Sequence, residues 1–124
     1  MAAFQPVDFL RVAERLYEDS SGGYEQGALR TAVSRAYYAA FLTWREKIRA
    51  ADPNYVGRAE GLGGSDIHRA VIEWLERRGL KSESAFLRKL RRERNRADYD
   101  LNAYFTREEV DRALRLARML VGRE

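Results

Sequence analysis

The chain has 124 residues, one histidine, no cysteine and a net charge of +4. That length predicts a single domain over 1–124 with a core of ordinary size, and the missing cysteines exclude disulfides and thiolate metal sites. A lone His68 excludes a His-rich metal site within one chain, so neither a metal nor another cofactor is expected. No long apolar run is present, and the start, MAAFQPVDF, lacks the basic-then-apolar pattern of a signal peptide, so a soluble cytoplasmic protein is expected. Proline occurs twice and β-branched residues are sparse, which favours an all-helical fold.

Pro6 suits a first helical turn, where its missing N–H costs nothing. Phe9, Val12, Ala13, Leu16 and Tyr17 make an apolar stripe that runs into Ser20-Ser21-Gly22-Gly23, so a first helix is predicted over 6–19. The longest helical pattern runs from about Tyr24 to Ala50, with Leu29, Ala32, Val33, Ala36, Tyr37, Ala40, Phe41, Trp44 and Ile48 at helical spacing. Its small residues at 32, 36, 39 and 40 permit close approach, and the wide stripe suits a central helix with several neighbours. Residues 51–64 (ADPNYVGRAEGLGG) hold one proline and four glycines without periodicity, and a loop is expected there.

A third helix is expected from Ser65, an N-cap with Asp66 in the first turn, to just before Gly79; Ile67, Ala70, Val71, Trp74 and Leu75 face inward. His68 lies one position off that stripe and reads as a structural or solvated histidine. Ser82 or Ser84 is expected to open a fourth helix reaching about residue 101, with the stripe Leu87, Leu90, Ala97 and Leu101. Thr106 and Glu109 form a capping-box signal for a fifth helix carrying Val110, Ala113, Leu114, Ala117, Leu120 and Val121. The expected fold is all-α, a five-helix up-and-down antiparallel bundle.

The fourth helix carries the chain's most informative chemistry. Between Leu90 and Ala97 the apolar series calls for position 94, and an arginine stands there. A guanidinium on an inward stripe must be paired, and Asp98 is one turn away. Window 88–96 holds six positive charges (Arg88, Lys89, Arg91, Arg92, Arg94, Arg96) against Glu93, a net of +5, so the rest of the chain sums to about −1. Such local excess suits a polyanion, and Tyr99 and Tyr104 nearby are able to stack on unpaired bases. This marks Arg88, Arg91, Arg92, Asn95 and Arg96 as candidate RNA contacts.

Arg94, Asp98 and Tyr99 are the candidate catalytic group. Metal-independent RNA cleavage needs activation of the 2′-hydroxyl, a proton for the leaving oxygen and stabilisation of the anionic phosphorus. A fixed arginine serves the last, with Asp98 as base and Tyr99 as hydrogen-bond donor. An Arg94–Asp98 pair that merely holds helices in register is the structural alternative. No nucleophile elbow or Gly-rich nucleotide fingerprint occurs, and GLGG lacks both a preceding strand and a GK[ST] ending.

Two stretches, Arg30-Thr31-Ala32-Val33-Ser34-Arg35-Ala36-Tyr37-Tyr38-Ala39-Ala40-Phe41 and Arg94-Asn95-Arg96-Ala97-Asp98-Tyr99, resemble signatures of the HEPN domain, particularly of its small stand-alone prokaryotic members. Ser65-Asp66-Ile67-His68-Arg69-Ala70-Val71 is also similar to a segment of that group. The resemblance implies a helical bundle of HEPN type that commonly forms a homodimer. It further implies partnership with a minimal nucleotidyltransferase, often in a toxin–antitoxin-type pair. Many such proteins are metal-independent endoribonucleases that use an arginine followed four to six residues later by a histidine. Arg94 matches the arginine and Asn95 the residue after it, while Tyr99 or Asp100 stands where the histidine would be. His68 is too distant in sequence to be transferred onto that motif. A tyrosine near the motif is an adenylylation target in related pairs, which makes Tyr99 a candidate acceptor. Three readings follow: a dimeric RNA-binding protein, with metal-independent RNA cleavage as its candidate activity; a non-catalytic module that binds nucleotide or assembles with a nucleotidyltransferase; and, as the weakest, a purely structural helical adaptor.

Overall fold

A computed structural model of the chain describes residues 3–61 and 64–122. Its helices are α1 (Pro6–Asp19), α2 (Glu25–Ala51), α3 (Pro53–Gly61), α4 (Gly64–Arg77), α5 (Lys81–Tyr99) and α6 (Arg107–Val121), with a 3₁₀ turn at Gly22–Tyr24; no strand occurs among the described residues. The all-helical expectation stands, but with six helices instead of five.

The additional helix is α3, in the segment read as a loop. Pro53 opens it, and the Asp52 carboxylate accepts from the Tyr55 N–H at 3.4 Å. Val56 and Ala59 are buried, and the Tyr55 hydroxyl donates to the Ala70 carbonyl at 2.7 Å. Tertiary burial therefore sustains a turn-rich stretch whose glycines argue against a helix.

α2 is the central element, touching all five other helices. Leu29, Ala32, Val33, Ala36, Tyr37, Ala39, Ala40, Phe41 and Ile48 are all buried on it, so alanines admit close neighbours while the larger side chains fill the spaces between them. α1 and α6 pack on α2 and on each other; α5 packs on α2, α4 and α6.

Helix ends show where local chemistry succeeded and where it was overruled. Gly79 at φ +77 closes α4, with Leu80 N–H donating to Leu75 O at 3.0 Å and Gly79 N–H to Glu76 O at 3.1 Å. The expected Ser65 cap, with Asp66, lies outside the residues whose side chains are described. Neither Ser82 nor Ser84 caps α5: Leu80 occupies the cap position, and the buried Ser84 hydroxyl donates to Glu76 at 3.1 Å. Thr106 caps α6 by accepting from the Glu109 N–H at 3.1 Å.

The expected stripe of α5 also stops early. Leu87, Leu90, Arg94 and Ala97 are buried, but Leu101 lies beyond the helix and is 89% exposed. The cause is Arg30 of α2, whose guanidinium donates to Ala97 O at 2.9 Å and to Ala103 O at 2.5 Å. Those bonds satisfy a C-terminal carbonyl and turn the chain away. Gln26 completes the turn by exchanging two 2.9 Å bonds with the Phe105 backbone.

Candidate functional site

The inward position 94 does carry its guanidinium into the protein. Arg94 is 8% exposed, with its carbon 5.2 Å from the centre of the Tyr37 ring and 5.4 Å from that of Tyr38. Both aromatic faces stabilise the charge where water is excluded. Asp98 lies one turn on, but its Oδ2 stands 3.8 Å from the guanidinium, too far for a hydrogen bond. The same oxygen accepts from the Ser34 hydroxyl at 3.3 Å. Nε of Arg94 is buried without a hydrogen-bond partner, one of three such side-chain nitrogens among the described residues, with Trp44 Nε1 and Trp74 Nε1.

Helical spacing explains why the two signature stretches meet. Arg30, Ser34, Tyr37, Tyr38 and Phe41 step along one side of α2 and face α5 and α4. Arg30 holds the end of α5, Ser34 touches Asp98, and Tyr37 and Tyr38 flank Arg94. Nothing in either stretch alone reveals that pairing.

Sequence reasoning missed the third participant. The Tyr37 hydroxyl is 2.5 Å from Nδ1 of His68, whose ring stacks on Phe41 at 4.2 Å between centroids. Burial pushes the His68 pKa down to about 4, assisted by the positive charges of Arg94, Arg91 and Arg45. Burial also pushes the fully buried Tyr37 phenol well up, against the opposing pull of Arg91 and Arg94. At neutral pH both groups are uncharged. In the tautomer with hydrogen on Nε2, the phenol O–H donates to Nδ1. The only available signal was the position of His68 beside the stripe of α4, which does not specify a contact 31 residues away.

The remaining candidates divide by helix face. Lys81, Arg88, Arg92, Asn95 and Tyr99 lie at helical spacing on the solvent stripe opposite Leu90 and Arg94, and all are exposed. Arg88 pairs with Glu76 of α4, and Arg88 and Arg92 line a groove of about 500 Å³ with Glu76, Lys81, Ser84 and Ala85. Arg91 is half-buried near His68. Arg96 is committed elsewhere: it donates to Glu109 at 2.7 Å and Glu93 at 3.1 Å, and stacks over Phe105 at 4.3 Å. That hydrogen bond holds the Glu109 carboxyl below the usual carboxylate range.

Tyr99 is not brought to Arg94. One residue after Asp98, it turns outward and is 72% exposed, as is Tyr104 at 64%. The structure thus joins Arg94 and Asp98 and adds His68, Tyr37 and Tyr38 to them. Among the described residues, no group of three or more His, Asp or Glu side chains is placed to hold a metal ion, and no helix is long and apolar enough to cross a membrane.

A helical bundle in which a buried arginine of one helix rests on paired tyrosines of another agrees with the family comparison: the HEPN domain model matches residues 7–123. The chain belongs to the HEPN family. It is similar to an uncharacterized protein, MJ0628, of Methanocaldococcus jannaschii, with 30% identity over 112 residues. The match covers 81% of this chain and 66% of that protein, so the chain spans somewhat under two thirds of the relative's length. No solved structure matches the chain significantly. Membership gives the chain a nucleotide- or RNA-related role in general terms.

Proposed function

We propose that this HEPN protein binds RNA along the solvent face of α5, as a homodimer that brings two such faces together. The observation that carries the reading is the exposed stripe Lys81, Arg88, Arg92, Asn95 and Tyr99: cations spaced for successive phosphates, ending in an aromatic ring open to stacking. A second copy doubles the +5 of window 88–96, and closed two-fold pairing is the simplest way to place both helices along one strand. Arg94, with Asp98 and His68 near it, is the group suited to stabilising an anionic phosphorus, which assigns metal-independent RNA cleavage as the activity to assay.

Incubation of the full chain with structured and unpaired RNAs in chelator, beside Arg94→Gln, tests both levels. The reading expects binding by both proteins and cleavage only by the wild type. Cleavage that survives Arg94→Gln removes Arg94 from the chemistry, and absence of RNA binding at low salt removes the function.

The exposure of Tyr99 favours a second reading, in which the chain is a non-catalytic partner of a nucleotidyltransferase of a toxin–antitoxin-type pair. An open phenol at a helix end suits attack on the α-phosphate of ATP, forming an adenylyl-tyrosine and releasing pyrophosphate. Mass spectrometry after co-expression with a minimal nucleotidyltransferase decides it: an adenylyl group on Tyr99, absent in Tyr99→Phe, supports this reading, and an unmodified Tyr99 opposes it.

A further inference from the structure

We propose that Arg35 of α2 and Asp98 of α5 form a guanine-reading pair beside the end of the α5 face. The guanidinium donates to O6 and N7 of an unpaired base, and the carboxylate accepts from N1–H and the 2-amino group. The pair deepens the RNA reading and rests on it for the polymer that delivers the base.

Three observations converge. First, the half-buried Arg35 lies over rings from two helices, its guanidinium carbon 4.7 Å from the centre of Phe9 of α1 and 5.0 Å from that of Tyr38. Each ring is fixed edge-on by a neighbour, Phe9 by Phe4 at 4.7 Å and Tyr38 by Tyr37 at 5.3 Å. Such contacts use the faces of a guanidinium and leave its N–H edge for a pair of acceptors in its plane. Second, that edge is almost unspent. Among the described residues its one hydrogen bond runs from Nη2 to the Ser34 hydroxyl at 3.5 Å, and no carboxylate pairs with it. Third, the same hydroxyl donates to Oδ2 of Asp98 at 3.3 Å, so a donor fork and an acceptor stand no more than two hydrogen-bond lengths apart. Oδ1 of Asp98 accepts no hydrogen bond among the described residues, and the side chain is 30% exposed.

This pairing of edges selects its ligand. Of the four RNA bases, guanine alone offers two adjacent acceptors to a guanidinium and two adjacent donors to a carboxylate. Adenine puts its 6-amino group where O6 stands, donor against donor. A bare phosphate satisfies Arg35 but meets Asp98 with like charge, which favours the base. Position agrees as well: Asp98 precedes Tyr99, whose exposed ring ends the α5 stripe, so the base at the pair neighbours one stacked on Tyr99. A mere clamp of α1 on α2 has no preference among bases, which makes base identity the readout.

The full chain is titrated with short oligouridines, blocked at their 2′ positions, that carry one central guanosine, adenosine, inosine or 7-deazaguanosine. All have the same phosphates, so the α5 face contributes equally to each. The proposal expects guanosine to bind about tenfold more tightly than adenosine, with inosine (no 2-amino group) and 7-deazaguanosine (no N7) between them. Arg35→Lys, which keeps the charge but not the fork, should erase the difference between guanosine and 7-deazaguanosine. Asp98→Asn should shrink that between guanosine and inosine. If a variant fails to fold, the two analogues on the wild type decide alone. Equal affinity for all four RNAs overturns the pair and leaves the α5 face standing. A guanosine preference that neither 7-deazaguanosine nor Arg35→Lys reduces also overturns it. If no RNA binds, the RNA reading falls, and GMP against AMP tests the pair by itself through saturable NMR shifts at Arg35 and Asp98. A response selective for GMP then supports the pair, and an equal or absent one overturns it.

Discussion

The hydroxyl of Tyr37 and Nδ1 of His68 meet at 2.5 Å across the α2–α4 interface, beside the guanidinium of Arg94. The burial of His68 at this interface makes stability pH-dependent with a definite sign. The His68 pKa falls from an ordinary 6.5 to about 4 on folding, chiefly through burial. Between those values the unfolded chain binds more protons, so the contribution is complete above about pH 6.5 and is lost as pH falls through about 4. Thermal unfolding midpoints should fall across that window in the wild type and fall less in His68→Phe. Parallel profiles for the two proteins would dissociate His68 from the effect.

Arg94 should exchange stability for function. Arg94→Met keeps a long apolar stem against Tyr37 and Tyr38 and removes an imperfectly paired buried charge, so denaturant unfolding should show equal or greater stability, by up to about 2 kcal/mol. Arg94→Ala leaves a cavity and should cost about 2 kcal/mol or more. Asp98→Ala, which removes the carboxylate 3.8 Å from the guanidinium, should also destabilise. Equal losses in the Met and Ala variants would show that the charge itself holds the helices together.

Arg30 is a structural arginine of the signature stretch. Arg30→Met orphans the carbonyls of Ala97 and Ala103 and should cost about 2 kcal/mol, with faster amide exchange at 99–105. Unchanged exchange there would mean that the Gln26–Phe105 pair suffices to shape the turn.

Much of the bundle was legible because its signals are local. Pro6 and Ser20-Ser21-Gly22-Gly23 bracket α1 at the predicted limits, and Thr106 starts α6 as its capping motif indicates. Arg94 was placed inward by period alone. What escaped depends on contacts remote in sequence. α3 is helical because Val56 and Ala59 are covered by the fold, and α5 ends before Leu101 because Arg30 reaches over from α2. The site suffered likewise: helical spacing revealed Asp98 beside Arg94, but the tyrosine faces and His68 arrive from other helices.

α3 gives a test of tertiary support. The Tyr55 hydroxyl donates to Ala70 O and accepts from Arg77 at 2.8 Å, so Tyr55→Phe should cost about 1 kcal/mol and raise amide exchange selectively in 53–61. A uniform increase over all helices would instead place α3 in the global cooperative unit.

The central claim is that the outward face of α5 holds successive phosphates. Its most direct measurement is RNA affinity as a function of salt for the wild type and for Arg88→Gln/Arg92→Gln, both exposed positions. The account predicts weaker binding by the double variant and a log–log salt slope shallower by about one to two, since each lost phosphate contact removes a little under one unit. Identical affinity and slope in the two proteins would contradict it.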